Sequence, residues 1–375
     1  MSIELKRLFE FRPQKSDVPE TASKEKSIIL SNIDRSKLSN DEENLLRRIE
    51  LEQNIDSAYL KLNHENQRIY DQNPHLREIF LTEQNLITFD GKFESQNRFL
   101  DLSHQEQDKQ LFGKDNHLQT TEQWLYRQLL LSEIEFLTEY SNESNCLVVY
   151  AGAASGIHLN YLSDLFPQVE FVLIDSNAIL TEQNDRITII EKDFNEKLAK
   201  KYAKEERRIL FICNKGTNDD LMLWQSNINS YASLLPIHFC STSFQFYDGR
   251  ILLNLWSPRN SFECRLIVEK DASIITYETH QFKKAISYFQ NHLRLMYYEH
   301  DLNEIETEGL DHCYDCRAEI FILEKYVRKT QSIDDEILLK KKIAELSYDI
   351  SRNIYEKNRQ PILNTFRTLN IISKK

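Results

Sequence analysis

The sequence contains few of the residues that form turns. Glycine and proline each occur 7 times among 375 residues. Glycine therefore makes up about 2% of the chain, against about 7% in average proteins. Because so few are used, each glycine is informative about the backbone at its position.

Long apolar runs are also missing. No run of 18 or more uncharged apolar residues occurs, and the N-terminal MSIELKRLFEFRPQK lacks the apolar stretch of a secretory signal. The apolar fraction of 41% is still large enough for a sizeable core. We therefore expect a globular protein that works in the cytoplasm and has no membrane partner.

Cysteine is sparse, and positive charge is in the minority. Of the 6 cysteines, only Cys313 and Cys316 form a CxxC, next to His312. A single CxxC without a second pair is a weak zinc signal, so we expect reduced thiols and predict no metal site. The net charge of −12 argues against a protein that coats nucleic acid through bulk electrostatics, although a local basic groove stays compatible with it.

The pattern of elements changes three times along the chain. Residues 1–35 are polar and charged and predict a flexible arm. Residues 36–118 predict a mainly helical N-terminal extension, and 329–375 predict a C-terminal helical tail. Between them, 119–328 begin with a predicted helix over 120–140 and continue with apolar strands alternating with helices, as in a parallel sheet covered on both faces. The predicted strands are CLVVYA, QVEFVLID, RITIIEKDF, RRILFICN, RILLNLW, FECRLIVEK, ASIITYE and EIFILEKY, and the later predicted helices are 195–205, 219–235 and Phe282–Tyr298.

Two of the seven glycines lie in one short loop. Gly152 and Gly156 follow the first predicted strand in YAGAASGIH, and the second strand ends about 20 residues later in Asp175. An acidic residue at that strand end accepts hydrogen bonds from ribose in nucleotide-binding folds. The spacing GxxxG differs from the dinucleotide fingerprint GxGxxG, which favours a nucleoside-type ligand such as S-adenosylmethionine. The alternative is a plain strand-to-helix turn with an ordinary aspartate at the strand end.

Several separated blocks resemble one family. The segments LSEIEFLTEY, VVYAGAASGIHLNYLSDLF, FVLIDSN and LWSPRNSFECRLI are similar to the poxvirus cap-specific mRNA nucleoside-2′-O-methyltransferase, which is also the small regulatory subunit of the viral poly(A) polymerase. The resemblance covers roughly residues 120–300. It implies an α/β, Rossmann-like S-adenosylmethionine-dependent methyltransferase fold, a mostly parallel sheet flanked by helices, over the predicted 119–328 domain.

The resemblance also implies a cofactor site. The loop residues would surround the methionine portion of S-adenosylmethionine, Asp175 would take the ribose, and two residues after the third strand would lie near the adenine. The implied cofactor residues are Gly152, Ala153, Ala154, Gly156, Asp175, Asp193 and Phe194. Ser155 stands where the family usually has a proline.

The catalytic positions implied by the resemblance depart from the family. The family uses a Lys-Asp-Lys-Glu tetrad, in which a lysine of lowered pKa accepts the proton of the 2′-hydroxyl. Glu263 matches the final glutamate, but Gln128, beside Arg127, falls on the first lysine and Asn214 on the aspartate. The second lysine falls near Pro236–His238, where no lysine occurs. Recruitment of Lys215 or His238 as the base would depart from the family arrangement.

Aromatic and basic clusters allow two interpretations each. The rings of Phe244, Phe246, Tyr247 and Trp256 lie where the family stacks the methylated guanine of the cap, and the alternative is core packing. Two basic segments would be either solvated helix faces or contacts to RNA or a partner protein. These segments comprise Lys200, Lys201, Lys204, Arg207 and Arg208, and Lys340–Lys342.

Three functional hypotheses follow from these observations. The first is a methyltransferase-like subunit of viral-type mRNA processing with a degenerate tetrad and a binding or processivity role. Its partners would be a poly(A) polymerase catalytic subunit or a capping enzyme, together with capped mRNA or poly(A) RNA. It would work in the cytoplasm of an infected cell or in the virion. The second is an active cap-specific 2′-O-methyltransferase with a rebuilt catalytic set. The third is a structural partner protein that binds no ligand.

Overall fold

A seven-stranded, mostly parallel sheet forms the centre of the protein. The computed structural model describes residues 93–104, 122–141, 145–257, 261–294 and 314–354. The strands in these ranges are β1 Cys146–Ala151, β2 Val169–Asp175, β3 Ile187–Glu191, β4 Arg208–Cys213, β5 Ala232–Pro236, β6 Ser243–Tyr247, β7 Arg250–Leu253, β8 Cys264–Glu269 and β9 Ile274–Glu278.

The order of the strands places a crevice at one edge of the main sheet. The order is β3-β2-β1-β4-β5-β8-β7, with β1 to β5 parallel and β8 antiparallel to both β5 and β7. The direction in which the chain adds strands reverses between β1 and β4, and ligands of open α/β sheets bind beyond the carboxyl ends of strands at such a point. The predicted Rossmann-like methyltransferase fold is confirmed.

Two groups of helices cover the sheet. In chain order the described helices are α1 Glu122–Tyr140, α2 Leu159–Leu165, α3 Glu196–Tyr202, α4 Asn218–Ile228, α5 Thr279–Tyr288, α6 Tyr314–Gln331 and α7 Glu336–Ile354. The helix α1 packs against α2, α6 and α7, whereas α3 packs against α4. This cover explains why β1 is apolar and buried along its whole length, since a parallel sheet with helices on its faces has no solvated side.

The first six predicted strands contain β1, β2, β3, β4, β7 and β8, whereas β5 was not predicted. The predicted helix 219–235 is wrong beyond Ile228, because Asn229 adopts a left-handed conformation with φ 52° and ends α4. The chain then enters β5, where the buried Ser233 hydroxyl bonds Gln225 of α4 and Ser230. Small polar residues therefore lie inside a buried strand, and their hydrogen bonds are not readable from the sequence.

The segment EIFILEKY is helical, so the prediction of a strand there is wrong. It lies inside α6, where the residues buried around it recur at helical spacing. Asp315 and Glu319, four residues apart, form buried ion pairs with Arg294 and Arg127. These pairs connect α6 to residues distant in the sequence, and the local apolar pattern of EIFILEKY, which predicts a strand, does not reveal them.

The strands β6 and β9 form a separate antiparallel pair. The aromatic segment that contains β6 was not predicted as a strand, and ASIITYE supplies β9. The predicted helix Phe282–Tyr298 corresponds to α5 and a following π-helical turn, Phe289–Leu293, and residues 295–298 lie outside the described ranges.

The described part of the N-terminal extension packs on the edge strand β7. Leu100 N donates to Ile251 O over 2.8 Å, and Phe99 forms an isolated bridge with Leu252. The predictions for 1–35 and for most of 36–118 lie outside the described residues. The predicted start of the C-terminal tail at residue 329 falls within α6.

Candidate nucleoside site and catalytic positions

The glycine loop follows β1 at the crevice of the sheet. Gly152 has φ 81° and donates from its N to Ile174 O over 2.9 Å. Gly156 has φ 72°, and a Cβ added there would lie 2.8 Å from both Ala153 O and Thr181 Oγ1. Side chains are sterically disfavoured in this conformation, so glycine at these positions follows from the backbone path of the loop.

Asp175 lies at the end of β2 and is almost completely buried. Its carboxylate accepts hydrogen bonds from Ala154 N over 3.3 Å and from Asn177 N over 2.9 Å. The two bonds come from the glycine loop and from the turn after β2. They fix a buried carboxylate beside Ala153 and Ala154, which are the residues predicted to lie at the ligand.

Asp193 and Phe194 follow β3 and have opposite environments. The Asp193 carboxylate is exposed and accepts from Ser176 Oγ over 2.6 Å. The Phe194 ring is buried and stacks on Phe211, with ring centroids 5.3 Å apart. Asp193 is therefore accessible to a ligand, whereas Phe194 forms part of the core beneath the site.

Lys215 connects the two acids of the site. It follows β4, and its Nζ lies 3.0 Å from Asp193 Oδ1 and 3.5 Å from Asp175 Oδ1. Partial burial lowers the pKa of Lys215, but the hydrogen bond to Asp193 and the charges of both acids outweigh it and hold the pKa above its usual range. The hydrogen bonds from Ser176 and Lys215 and the lysine charge lower the pKa of Asp193. Both groups are therefore charged at neutral pH.

Gln128, a predicted catalytic position, is buried in α1 and bonds other parts of the protein. Its Nε2 donates to the backbone oxygen of Trp256 over 3.1 Å, and Trp256 Nε1 donates to Glu319 of α6 over 2.9 Å. The neighbouring Arg127 is ion-paired with Glu319 and fully buried. Gln128 thus attaches α1 to the turn after β7, and Arg127 attaches it to α6, so neither side chain extends into the crevice.

Asn214 belongs to a buried chain of hydrogen bonds that the sequence interpretation missed. Its Nδ2 donates to the Tyr150 hydroxyl, and that hydroxyl donates to Glu133 of α1. His158 Nε2 contacts the other oxygen of Glu133 over 3.0 Å. Burial, and then the charge of Glu133, raise the pKa of Tyr150 well above its usual range, so the phenol stays protonated.

Arg265 is a second residue that the sequence interpretation missed. It lies in β8 opposite Pro236, the position near which the family's second lysine falls. Its Nη2 donates to Cys213 O over 2.8 Å and to Leu234 O over 3.2 Å. A charged residue inside the apolar run FECRLIVEK was the available signal for it. Glu263 precedes β8 and is exposed, with its N bonded to Ser261 Oγ over 3.2 Å.

Core packing accounts for most of the aromatic cluster. Phe244, Phe246 and Trp256 are buried, and Phe244 stacks on Tyr277 with ring centroids 5.5 Å apart. Tyr247 is half-buried, and its hydroxyl donates to Met222 O over 3.3 Å. Three of the four rings therefore have no open face for a stacked base.

The basic segment around α3 is largely compensated within the protein. Lys200 pairs with Glu196 one helical turn away, and Arg207 bonds Glu170 over 2.8 Å and Glu205 over 2.9 Å. The Arg208 guanidinium lies 3.3 Å from the ring centroid of Tyr231. This pattern is typical of a solvated face with local ion pairs.

The described ranges contain no cluster of three or more histidine, cysteine or acidic side chains that could hold a metal ion. Cys316 is buried, and Cys313 and His312 lie outside these ranges. None of the helices described here is both long and apolar enough to cross a membrane.

The donor set at the crevice fits the ribose part of a nucleoside. A buried carboxylate at the end of β2 and a glycine without a side chain at the end of β1 are the two features such a ligand requires. A Cβ added at Gly152 would, however, lie 3.1 Å from Lys215 Cγ, so the chain's own lysine stem lies against this glycine.

The fold and this site define the class of the protein, a Rossmann-like α/β protein with a glycine loop after β1 and a buried acid at the end of β2. Within that class, residues 98–231 match the family model of the poly A polymerase regulatory subunit. The predicted resemblance to that family is therefore confirmed over this segment, and the methyltransferase activity is not addressed by the match.

One solved structure similar to the chain is bluetongue virus VP4, described as a multifunctional RNA-capping production-line. The two share 13% sequence identity with a TM-score of 0.38, and the match covers 74% of this chain and 45% of VP4. The chain thus spans less than half of the length of that structure. No curated protein matches the chain significantly.

Proposed function

We propose that the chain is a methyltransferase-like regulatory subunit of viral-type mRNA processing that binds a poly(A) polymerase catalytic subunit and has lost efficient methyl transfer. The observation that supports this most is the state of the catalytic positions. Gln128 and Asn214 carry uncharged amides, and each amide nitrogen is already donating to a buried oxygen of the protein. Neither side chain can supply the charge that the family's lysine and aspartate supply.

Among the residues that the structure describes, none of the candidates at the predicted catalytic positions is suited to accept the proton of a 2′-hydroxyl. Arg265 stands nearest to the missing second lysine, and a guanidinium stays protonated in proteins. Lys215 is held by two acids that favour its charged form, the opposite of what a general base needs. The ring of His238 is exposed and forms no hydrogen bond with the described residues that would orient it.

The retained nucleoside features support ligand binding as a separate property of the subunit. We assign S-adenosylmethionine as the cofactor class, with Asp175 for the ribose, Asp193 beside the adenine, and the loop from Gly152 to Gly156 along the methionine portion. When bound, this cofactor supplies an activated methyl group. In this proposal the residues of the site bind and orient it, and Glu263 would contact substrate at the rim of the crevice.

The partner follows from the family whose model the chain matches. A regulatory subunit of a poly(A) polymerase requires a catalytic subunit, and RNA would be held by the complex rather than by this chain alone. The net charge of −12 and the internal pairing of the basic α3 segment support that division.

Two assays on the full-length chain test this proposal together. In the first, the chain is added to a poly(A) polymerase catalytic subunit from the same source, and co-elution and tail length are measured. In the second, transfer of a labelled methyl group from S-adenosylmethionine to a short capped RNA is measured, with Glu263→Ala alongside. We expect longer tails and no methyl transfer.

The outcomes separate the three functional classes. Methyl transfer that disappears in Glu263→Ala would establish an active enzyme with a rebuilt catalytic set and contradict the proposal. Absence of both polymerase binding and methyl transfer, from a folded protein, would favour a structural partner protein.

A further inference from the structure

Lys215 lies across the site rather than beside it. Its Nζ contacts the acid that ends β2 and the acid that follows β3, at 3.5 Å and 3.0 Å respectively. Its backbone N and Cγ both lie 3.1 Å from the position of a Cβ added at Gly152. The Lys215 stem therefore lies against Gly152, and its ammonium group lies between Asp175 and Asp193.

Lys215 places a charged donor at the acid that a ribose would use. Asp175 Oδ1 accepts from Asn177 N and Asn177 Nδ2 and lies 3.5 Å from Lys215 Nζ, whereas Oδ2 accepts from Ala154 N. A ribose hydroxyl and an ammonium both donate to the same ionised acceptor, but only the ammonium adds a charge–charge attraction. Ribose hydroxyls, which are neutral donors, compete poorly with the lysine for this acid.

The side chain is also able to leave. It is 28% exposed, and the distal acid Asp193 is 72% exposed, so the lysine can swing outward while it keeps contact with Asp193. The exposed ion pair with Asp193 is weakened by water and salt, so moving the lysine outward costs little free energy. Displacement therefore requires no change in the sheet or the helices.

We propose that Lys215 closes the nucleoside site, and that a ligand carrying a ribose diol binds Asp175 only after displacing this side chain. The inference rests on the proposed assignment of the site and adds its regulation. In this arrangement Lys215 sets the affinity of the site and does not contact the reacting atoms. A partner that engages Lys215 or Asp193 would open the site.

Binding of S-adenosylhomocysteine to the full-length chain, measured by calorimetry, tests the inference without relying on activity. Lys215→Ala removes both stem and charge, and Lys215→Met keeps the stem and removes the charge. Lys192→Ala is the matched control, because it removes an exposed cation beside Asp193. If Lys215 leaves the site open in about a tenth of the wild-type molecules, the apparent affinity is about tenfold weaker than that of a permanently open site. We therefore expect about tenfold tighter binding by Lys215→Ala and unchanged binding by Lys192→Ala.

Lys215→Met divides the effect between charge and volume. Binding intermediate between wild type and Lys215→Ala assigns part of the closure to the stem over Gly152. Equal or weaker binding by both Lys215 variants overturns the inference, since the lysine would then be a ligand contact. Absence of binding in all folded variants also overturns it, while tail lengthening by the same proteins would leave the regulatory-subunit proposal standing. Melting curves of each variant establish that it is folded.

Discussion

Tyr150 connects α1 to the end of β4 through one hydroxyl group. The hydroxyl donates its single proton to Glu133 and accepts from Asn214 Nδ2, so it has one partner as a donor and one as an acceptor. An amide at position 214 suits this arrangement because it donates. A carboxylate there would only accept, and Tyr150 has no second proton to give.

We therefore predict that Asn214→Asp, which reinstates the family's aspartate, lowers the free energy of unfolding by about 1–3 kcal/mol at neutral pH. The new carboxylate would be partly buried next to the Tyr150 hydroxyl that bonds Glu133, which raises its folded-state pKa above the unfolded value. For a carboxyl whose folded pKa is raised, the free energy of unfolding falls as pH rises above the unfolded pKa, because the unfolded state then loses its proton more readily than the folded state. The deficit should thus be small near pH 4 and grow as pH rises to 7.

Urea titrations of wild type and Asn214→Asp at both pH values measure this effect. The double variant with Glu133→Gln serves as the control, because removing the neighbouring charge should shrink the deficit and its pH dependence. A deficit that is the same at pH 4 and pH 7 would contradict the charge argument.

At the scale of elements, buried arginines attach α6 to the rest of the protein. Arg127 of α1 pairs with Glu319, Arg294 pairs with Asp315, and Arg98 bonds both Glu135 and the Tyr314 hydroxyl. All three guanidinium groups are almost completely buried. Removing one member of a buried pair leaves an uncompensated charge, which costs more than the pair contributes.

Arg127→Met should accordingly lower the free energy of unfolding by about 3–5 kcal/mol, because Glu319 would keep Trp256 Nε1 as its donor but lose its counter-ion. The double variant Arg127→Met/Glu319→Leu should recover a large part of the loss. Urea titration measures both. Arg328→Met is the control, since that arginine pairs with Glu324 and Glu336 on the surface, and little change is expected. Equal losses for the single and double variants would mean that packing, and not charge, decides.

Elements that depend on a local sequence pattern could be predicted, and elements that depend on hydrogen bonds and ion pairs between buried polar residues could not. The strands β1, β2 and β4, the glycine loop and Asp175 were predictable, because apolar runs and paired glycines are local signals. The strand β5 was not, because the polar Ser233 is buried through hydrogen bonds to Gln225 and Ser230 that the apolar pattern does not reveal. The helix α6 was not, because Glu319 is buried through Arg127, a partner distant in sequence. The reach of Lys215 to Asp175 depends on the neighbouring positions of β4, β1 and β2, which no local pattern encodes.

At the scale of the whole molecule, α7 is part of the same core as the sheet. Its buried side chains lie against α1 and α6, and Arg127 Nη2 contacts Ser347 Oγ of α7 over 3.3 Å. The buried apolar residues of α7 include Leu339, Ile343, Leu346, Ile350 and Ile354. The helix that carries Gln128 is therefore supported from the C-terminal side of the chain.

Deletion of residues 332–375 should for this reason abolish cooperative folding. Five buried aliphatic side chains at about 1.5–3 kcal/mol each amount to roughly 7–15 kcal/mol, which equals the whole stability of a typical domain. Thermal melting followed by tryptophan fluorescence and by circular dichroism measures this. A point-variant comparison tests the same contact within a full-length chain. Ile343→Ala, at a buried position, should cost about 2–5 kcal/mol, whereas Ile337→Ala, 83% exposed on the same helix, should change little. If the truncated chain melted in one sharp transition and still bound S-adenosylhomocysteine, α7 would be a separate appendage and the site would be independent of it.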